Sequence, residues 1–289
     1  MTEIRKSLKG NVCMVTGATS GIGVVTAKAL AQEGATVIVV GRNKEKSFSV
    51  VDQIKKKTGN PNVQYMLADL SVQKEVRQLT EDFTGKFKRL DILVNNAGAV
   101  FNKRIETVDG LEMTFALNHL GYFLLTNLLL GTIKASAPSR IINVSSDAHK
   151  GAKINFDDIQ GTKKYGVMRA YGQSKLANIL FTYELARKLE GSGVTSNALH
   201  PGFVASSFGS NMSGAFRLIL RFLQLFAMSS ENGAETSIYL ATSPNVANIN
   251  GKYFVKKKEV RTSVKSYDKN IGEKLWKVSE ELTNFSVSS

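Results

Sequence analysis

Short apolar, β-branched runs alternate with longer stretches of helical spacing along this chain. "VCMVT" (12–16) precedes a helical pattern from Ile22 to Glu33, and "TVIVVG" (36–41) precedes a second that ends near "KKKTGNP". "VQYMLADL" (63–70) leads to a third helix, and "DILVNNAG" (91–98) to a long helical stretch over 111–133. "SRIINVSS" (139–146) is followed by a polar, less periodic stretch and then by a helix from Arg169 to Leu189. "VTSNALHPG" (194–202) and "GKYFV" (251–255) read as the last strands. This alternation predicts an α/β protein of three layers, doubly wound, with about seven mostly parallel strands and helices on both faces. Four of the runs are apolar throughout, as strands buried on both faces should be. No linker or solenoid-length repeat divides the 289 residues, so a single domain over 1–289 is expected, with the tail after about Val260 left unplaced. The least regular interior segments, 147–168 and 203–229, both follow strands, on the side where open α/β sheets bind ligands.

Composition narrows the class. Hydrophobic content of 43% and charged content of 21% suit a globular protein. The single cysteine, Cys13, excludes an internal disulfide and suits a reducing compartment. The net charge of +14 is read as a solvated basic surface. The tight runs Lys55-Lys56-Lys57 and Lys256-Lys257-Lys258 lack interleaved aromatics, and no nucleic-acid motif appears, so no nucleic-acid partner is expected. The N-terminal stretch has no apolar core of a signal peptide, which points to a cytoplasmic rather than a secreted protein. No run reaches the ~18 apolar residues of a spanning helix. "FRLILRFLQLFAM" (216–228) is broken by Arg217, Arg221 and Gln224 and reads as a lid or pocket wall, with a peripheral membrane-surface patch as the alternative.

"VTGATSGIG" follows the first strand and opens a helix. Its glycines, Gly17, Gly21 and Gly23, let an anionic group approach the backbone, and Thr19, Ser20 and Ile22 complete the loop. The helix beyond offers free N–H groups and the positive end of its dipole. The G-x-x-x-G-x-G spacing differs from G-x-G-x-x-G, so a tight turn with packing glycines is the competing reading. The second strand ends in "VVGRN", where an NAD site would usually carry Asp or Glu. Arg42 stands there instead, beside Asn43 and one helical turn from Lys46, and a guanidinium suits a 2′-phosphate. NADP(H) is therefore the expected cofactor, with no metal: His119, His149 and His200 show no ligand spacing.

Hydride transfer to a carbonyl also needs a proton donor and a group to stabilise the developing alkoxide. Tyr171 and Lys175 stand at i and i+4 and share a helix face, so the ammonium is expected to pull the phenol pKa toward the working range. The similar pair Tyr165 and Arg169 precedes the regular helix, and Tyr165 at most borders a substrate. Ser145 and Ser146 close the fifth strand on opposite faces, and either hydroxyl could meet a substrate oxygen.

Six motifs occur in one order: Thr16-Gly17-x-x-x-Gly21-x-Gly23, "NNAG" (95–98), Asn118, "VSS" (144–146), "YGQSK" (171–175) and "HPG" (200–202). Together, over residues 10–255, they resemble the short-chain dehydrogenases/reductases, and the second half looks most like the retinol dehydrogenase branch. The resemblance implies a Rossmann fold and a catalytic set of Asn118, Ser146, Tyr171 and Lys175, with Ser146 preferred to Ser145 and Asn118 holding a relay water. It places Asp69 and Leu70 at the adenine, and Asn95, Ala97 and Gly98 on the adenosine and ribose side. Pro201, Gly202 and Val204 would border the nicotinamide, with Ser206, or its neighbour Ser207, at the carboxamide. Ser146 and Tyr171 are 25 positions apart, and the added segment resembles an insert of that branch that shapes the substrate entrance and alters the face used for assembly, leaving monomer or homodimer open.

The function expected is an NADP(H)-dependent oxidoreductase that interconverts a carbonyl and an alcohol on an apolar small molecule. Phe203, Phe208, Met212, Phe216, Leu220 and Leu223 suggest the apolar ligand. The alternatives are a non-catalytic NADP-binding redox sensor and a nucleotide-sugar epimerase or dehydratase. The second usually needs a larger C-terminal domain than the chain after Val255 provides.

Overall fold

The computed structural model describes residues 7–202 and 229–286. Eight strands form one sheet in the order β3-β2-β1-β4-β5-β6-β7-β8. They are β1 (Val12–Thr16), β2 (Thr36–Gly41), β3 (Val63–Leu67), β4 (Ile92–Asn95), β5 (Ser139–Val144), β6 (Val194–His200), β7 (Tyr253–Val255) and β8 (Lys258–Glu259). All neighbours pair in parallel except β7 and β8. The eighth strand goes beyond the seven expected. Lys256 and Lys257, with φ of 49° and 64°, form the two-residue turn that folds it back on β7. The second lysine run has a structural reason too: Lys55, Lys56 and Lys57 occupy the last turn of α2 (Lys44–Thr58), at the negative end of its dipole.

Strand alternation divides the core into two layers. Met14, Ile38, Leu93 and Ile141 face α3 (Gln73–Lys86), α4 (Gly121–Leu128) and α6 (Val167–Lys188). Cys13, Val37, Val39 and Val94 face α1 (Gly21–Gln32), α2 and α7 (Ser230–Thr242). Burying each such side chain contributes about 1.5–3 kcal/mol, which is why register here tolerates no one-residue slip.

The stretch read as one helix over 111–133 is not continuous. It opens at Met113–Phe115, passes through a π turn at Ala116–Leu120, and continues as α4 and then α5 (Leu130–Ala135). The tail left unplaced by sequence is α8 (Lys269–Thr283), capped by Asp268, whose carboxylate accepts from the Asn270 and Ile271 amides. Its Trp276 packs on Phe123 and Phe181 at ring-centroid distances of 5.0 and 5.8 Å. Among the described residues, no helix is long and apolar enough to cross a membrane.

Candidate active site

The sheet order reverses direction between β1 and β4, so the loops after them part at their C-terminal ends. A cavity of about 360 Å³ opens there. Its floor is the loop after β1, where Gly17, Thr19, Ser20, Gly21 and Ile22 line the space. Gly17 and Gly21 hold φ of 62° and 56°, a left-handed backbone that glycine adopts without strain. A Cβ on Gly17 would also sit 2.8 Å from the Ala97 Cα, so the loop approaches the β4 turn backbone to backbone. Gly23 does not line the cavity; a Cβ there would meet the Gly17 carbonyl oxygen at 2.5 Å, so this glycine lets α1 pack on the loop. The first turn of α1 carries no acidic residue, leaving the positive end of its dipole uncompensated.

The β2 end supplies Arg42, Asn43 and Lys46, and all three line the cavity. Asn43 caps α2 by accepting from the Lys46 amide at 2.9 Å. The exposed Arg42 guanidinium lies 3.3 Å from the Asp69 carboxylate. Burial opposes ionisation of Asp69, but bonds from the Ser71 hydroxyl and amide and the Arg42 charge win, and its pKa falls below the usual carboxylate value. Leu70, Ala97 and Gly98 also line the cavity.

Asn95 departs from expectation. Its side chain is fully buried and donates to Thr126 Oγ1 and Asn143 Oδ1, at 2.9 and 2.8 Å, on the α4 side of the sheet. The next residue, Asn96, lines the cavity instead and donates to the Thr16 carbonyl at 2.8 Å. Strand alternation was the available signal: Asn95 follows Leu93 onto the layer beneath. Sequence reasoning also missed Ala99, Leu117 and Val144, apolar residues that close the inner wall.

At that inner end Tyr171, Lys175 and Ser145 line the cavity, whereas Ser146 and Asn118 stand behind the lining, Ser146 on the Tyr171 phenol and Asn118 beside Gly98. Tyr171 and Lys175 lie one turn apart on α6, which starts at Val167 rather than Arg169, so Tyr171 stands in its second turn and Lys175 in its third. Both line the cavity and both are buried. The Tyr171 phenol hydrogen-bonds the Ser146 hydroxyl. The Ser145 hydroxyl is committed elsewhere and donates to the Lys175 carbonyl at 2.7 Å. Asn118 sits in the π turn, donates to the Ala99 carbonyl at 3.0 Å and accepts from the Ala99 amide at 2.9 Å. A Cβ on Gly98 would lie 3.2 Å from Asn118 Oδ1 and 3.5 Å from Lys175 Nζ, so the two meet behind that glycine.

The electrostatics differ from the simple pairing of phenol and ammonium. Burial raises the Tyr171 pKa above its ordinary value, and the Ser146 bond only partly offsets this. Lys175 Nζ donates to the Val144 carbonyl at 3.0 Å and stands 5.7 Å from the Tyr171 ring centre. Burial lowers the Lys175 pKa to about 7. The phenol is therefore protonated at neutral pH.

Tyr165 lies outside the cavity and donates to the Phe101 carbonyl at 3.2 Å, which locks the insert against the β4 loop. Pro201 lines the cavity, and Gly202 follows it with a left-handed φ of 86°. Val204, Ser206 and Ser207, and nearly all of the 203–229 segment, lie outside the described residues. Among the described residues, no group of His, Cys, Asp and Glu is placed to hold a metal ion.

Comparison with known proteins agrees with this geometry. Residues 11–215 match the short chain dehydrogenase family. Mouse retinol dehydrogenase 12 is 44% identical over 275 residues, covering 95% of this chain and 87% of that protein. Human retinol dehydrogenase 13 is 40% identical over 291 residues, covering 99% and 88%. Among solved structures, an uncharacterised Mycobacterium paratuberculosis protein superposes with a TM-score of 0.80 at 31% identity, over 98% of this chain and 96% of that one. The Pseudomonas aeruginosa RhlG/NADP complex gives a TM-score of 0.68 at 29% identity, over 86% and 95%. The sheet order, the glycine loop at its reversal and these relatives together place the chain in the short-chain dehydrogenase/reductase family of oxidoreductases, in its retinol dehydrogenase-like branch.

Proposed function

We propose that the protein reduces or oxidises an apolar carbonyl or alcohol with NADP(H), using Tyr171 as the acid or base. The observation that carries this reading is the buried Tyr171 phenol, bonded to Ser146 and facing the same cavity as Lys175 and the glycine loop. The residues fit a phosphate-bearing dinucleotide: an uncompensated helix N-terminus at one end, and at the end of β2 Lys46 and Arg42, the latter also paired with the Asp69 carboxylate. Gly17 to Ile22 would hold the pyrophosphate, Arg42 and Lys46 a 2′-phosphate, Leu70 and Asp69 the adenine, and Pro201 the nicotinamide side. The bound cofactor supplies or accepts the hydride.

The chain's own residues do the rest. Ser146 and Tyr171 present two hydroxyls to a substrate oxygen, and the protonated phenol donates as the alkoxide develops. Lys175, held by the Val144 carbonyl, brings a titratable amine against the back of the site. Asn118 fixes the Ala99 backbone and thereby the wall opposite. Val100 packs on Tyr171 and makes that wall apolar. The relatives named as retinol dehydrogenases support an apolar alcohol or aldehyde substrate. The test is to incubate the protein with NADPH or NADH and a panel of apolar aldehydes and ketones. Turnover should be found with NADPH at lower cofactor KM. Preference for NADH, or turnover confined to nucleotide sugars, overturns the reading.

A further inference from the structure

His149 is fully buried three residues beyond Ser146, and neither sequence motif nor cavity uses it. Its Nδ1 lies 2.7 Å from the Ser146 carbonyl oxygen. Its Nε2 lies 3.3 Å from the Ser263 amide. A backbone carbonyl can only accept and a backbone N–H can only donate, so the two contacts fix the ring. Nδ1 carries the proton and donates to Ser146; Nε2 is bare and accepts from Ser263. The Ser146 carbonyl takes a second bond from the His149 amide at 3.2 Å, and the Ser146 hydroxyl accepts from the Ala148 amide at 3.2 Å. Asp147 between them is held by the Tyr253 hydroxyl at 3.2 Å and by Lys150 at 2.9 Å. The Tyr253 ring meets the imidazole edge to face at 5.2 Å.

We propose that His149 is a positioning residue for the reaction: as the neutral Nδ1–H tautomer, which the Ser263 amide selects at Nε2, it clamps the Ser146 backbone through Nδ1, so that the Ser146 hydroxyl stays against the Tyr171 phenol. The proposal rests on the reading of Ser146 and Tyr171 given above. The groups facing the imidazole, Asp147, Lys150, Tyr253 and His200, leave its charged form disfavoured: burial lowers its pKa, and the opposing Asp147 charge does not restore it. A serine displaced by a fraction of an ångström loses alignment with the phenol, and misplacement on that scale costs about 10–100-fold in rate.

Two side chains separate the two bonds. In His149→Asn the amide nitrogen stands where Nδ1 stands and can still donate to Ser146, whereas the Ser263 bond is lost. In His149→Gln the amide oxygen reaches toward the Nε2 position and can still accept from Ser263, whereas the Ser146 bond is lost. His149→Gln should lower kcat by about 10–100-fold with the cofactor KM unchanged. His149→Asn should keep kcat within a few-fold of wild type, although each variant loses one buried hydrogen bond and both melt earlier. Equal kcat losses in the two variants, or losses that track melting temperature, overturn the proposal. Long-range ¹H–¹⁵N correlation on the wild-type imidazole provides the arm independent of activity. An Nδ1–H pattern is expected, and an Nε2–H pattern overturns the proposal whether or not the variants fold. If no carbonyl is turned over at all, the functional reading fails while the tautomer is still decided. If Tyr171-dependent turnover is found and His149→Gln matches wild type, the positioning role alone fails.

Discussion

Tyr171 and Lys175 share a helix face, and burial raises the phenol pKa and lowers the amine pKa, so each group is shifted toward its own neutral form. The lysine has the larger consequence for stability. Its folded pKa is about 7, against roughly 10.4 for a free lysine, so the unfolded chain binds more protons between those values. Stability attributable to this group therefore rises as pH climbs from 7 toward 10, and its full cost is present below pH 7. Urea denaturation of wild type and Lys175→Met across that range should show the variant gaining most at or below neutral pH, with the gap closing on the alkaline side. A gap independent of pH contradicts a buried, depressed amine. At the other end of the cavity, Arg42→Ala removes the one guanidinium at the β2 end. It should raise the KM for NADPH by about 10–100-fold, the worth of a charge-assisted hydrogen bond, and leave the KM for NADH nearly unchanged. Equal effects on both cofactors would show that Arg42 serves Asp69 rather than a 2′-phosphate.

The elements explain what could be read from the string and what could not. Strand runs were legible because both faces are buried and apolar residues leave no ambiguity. They were read too long at one end: residues 68–70, 96–98, 145–146 and 201–202 were taken into the strand runs but leave the sheet to line or flank the cavity. Asn95 was misassigned for the same reason, since the last paired residue still obeys alternation and the first unpaired one does not. The π turn at Ala116–Leu120, which carries the buried Asn118, has no marker in the sequence. Helix α8 did have signals, an Asp268 cap and the apolar spacing of Ile271, Leu275, Trp276 and Leu282, that a reading centred on motifs passed over. Its weight is testable. Trp276→Ala should cost about 3–5 kcal/mol in denaturant unfolding, because it leaves a cavity between Phe123 and Phe181. A loss under about 1 kcal/mol, the scale of a substitution at an exposed site, would mean α8 is not part of the core.

At the scale of the whole molecule, the insert and the tail cover one face together. Ala152, Ile154, Phe156 and Ile159 from the insert, with Ile271 and Leu282 from α8, pack on Leu176 and Leu180 of α6. The 25-residue separation of Ser146 and Tyr171 thus has a packing reason, and we propose that this cover closes the face to a second copy. Light scattering on the eluting protein should give the monomer mass, and a dimer whose contacts include α6 would contradict that closure. Among the described residues, the cavity opens at the C-terminal edge of the sheet, with Tyr171 in its lining. The most direct test of the account is NADPH oxidation by wild type and Tyr171→Phe with one apolar aldehyde that the wild type reduces, with cofactor binding measured alongside. The account predicts that the variant binds NADPH as wild type does and loses at least about a hundredfold in kcat, the contribution expected of a positioned proton donor. A variant that keeps wild-type kcat would contradict it.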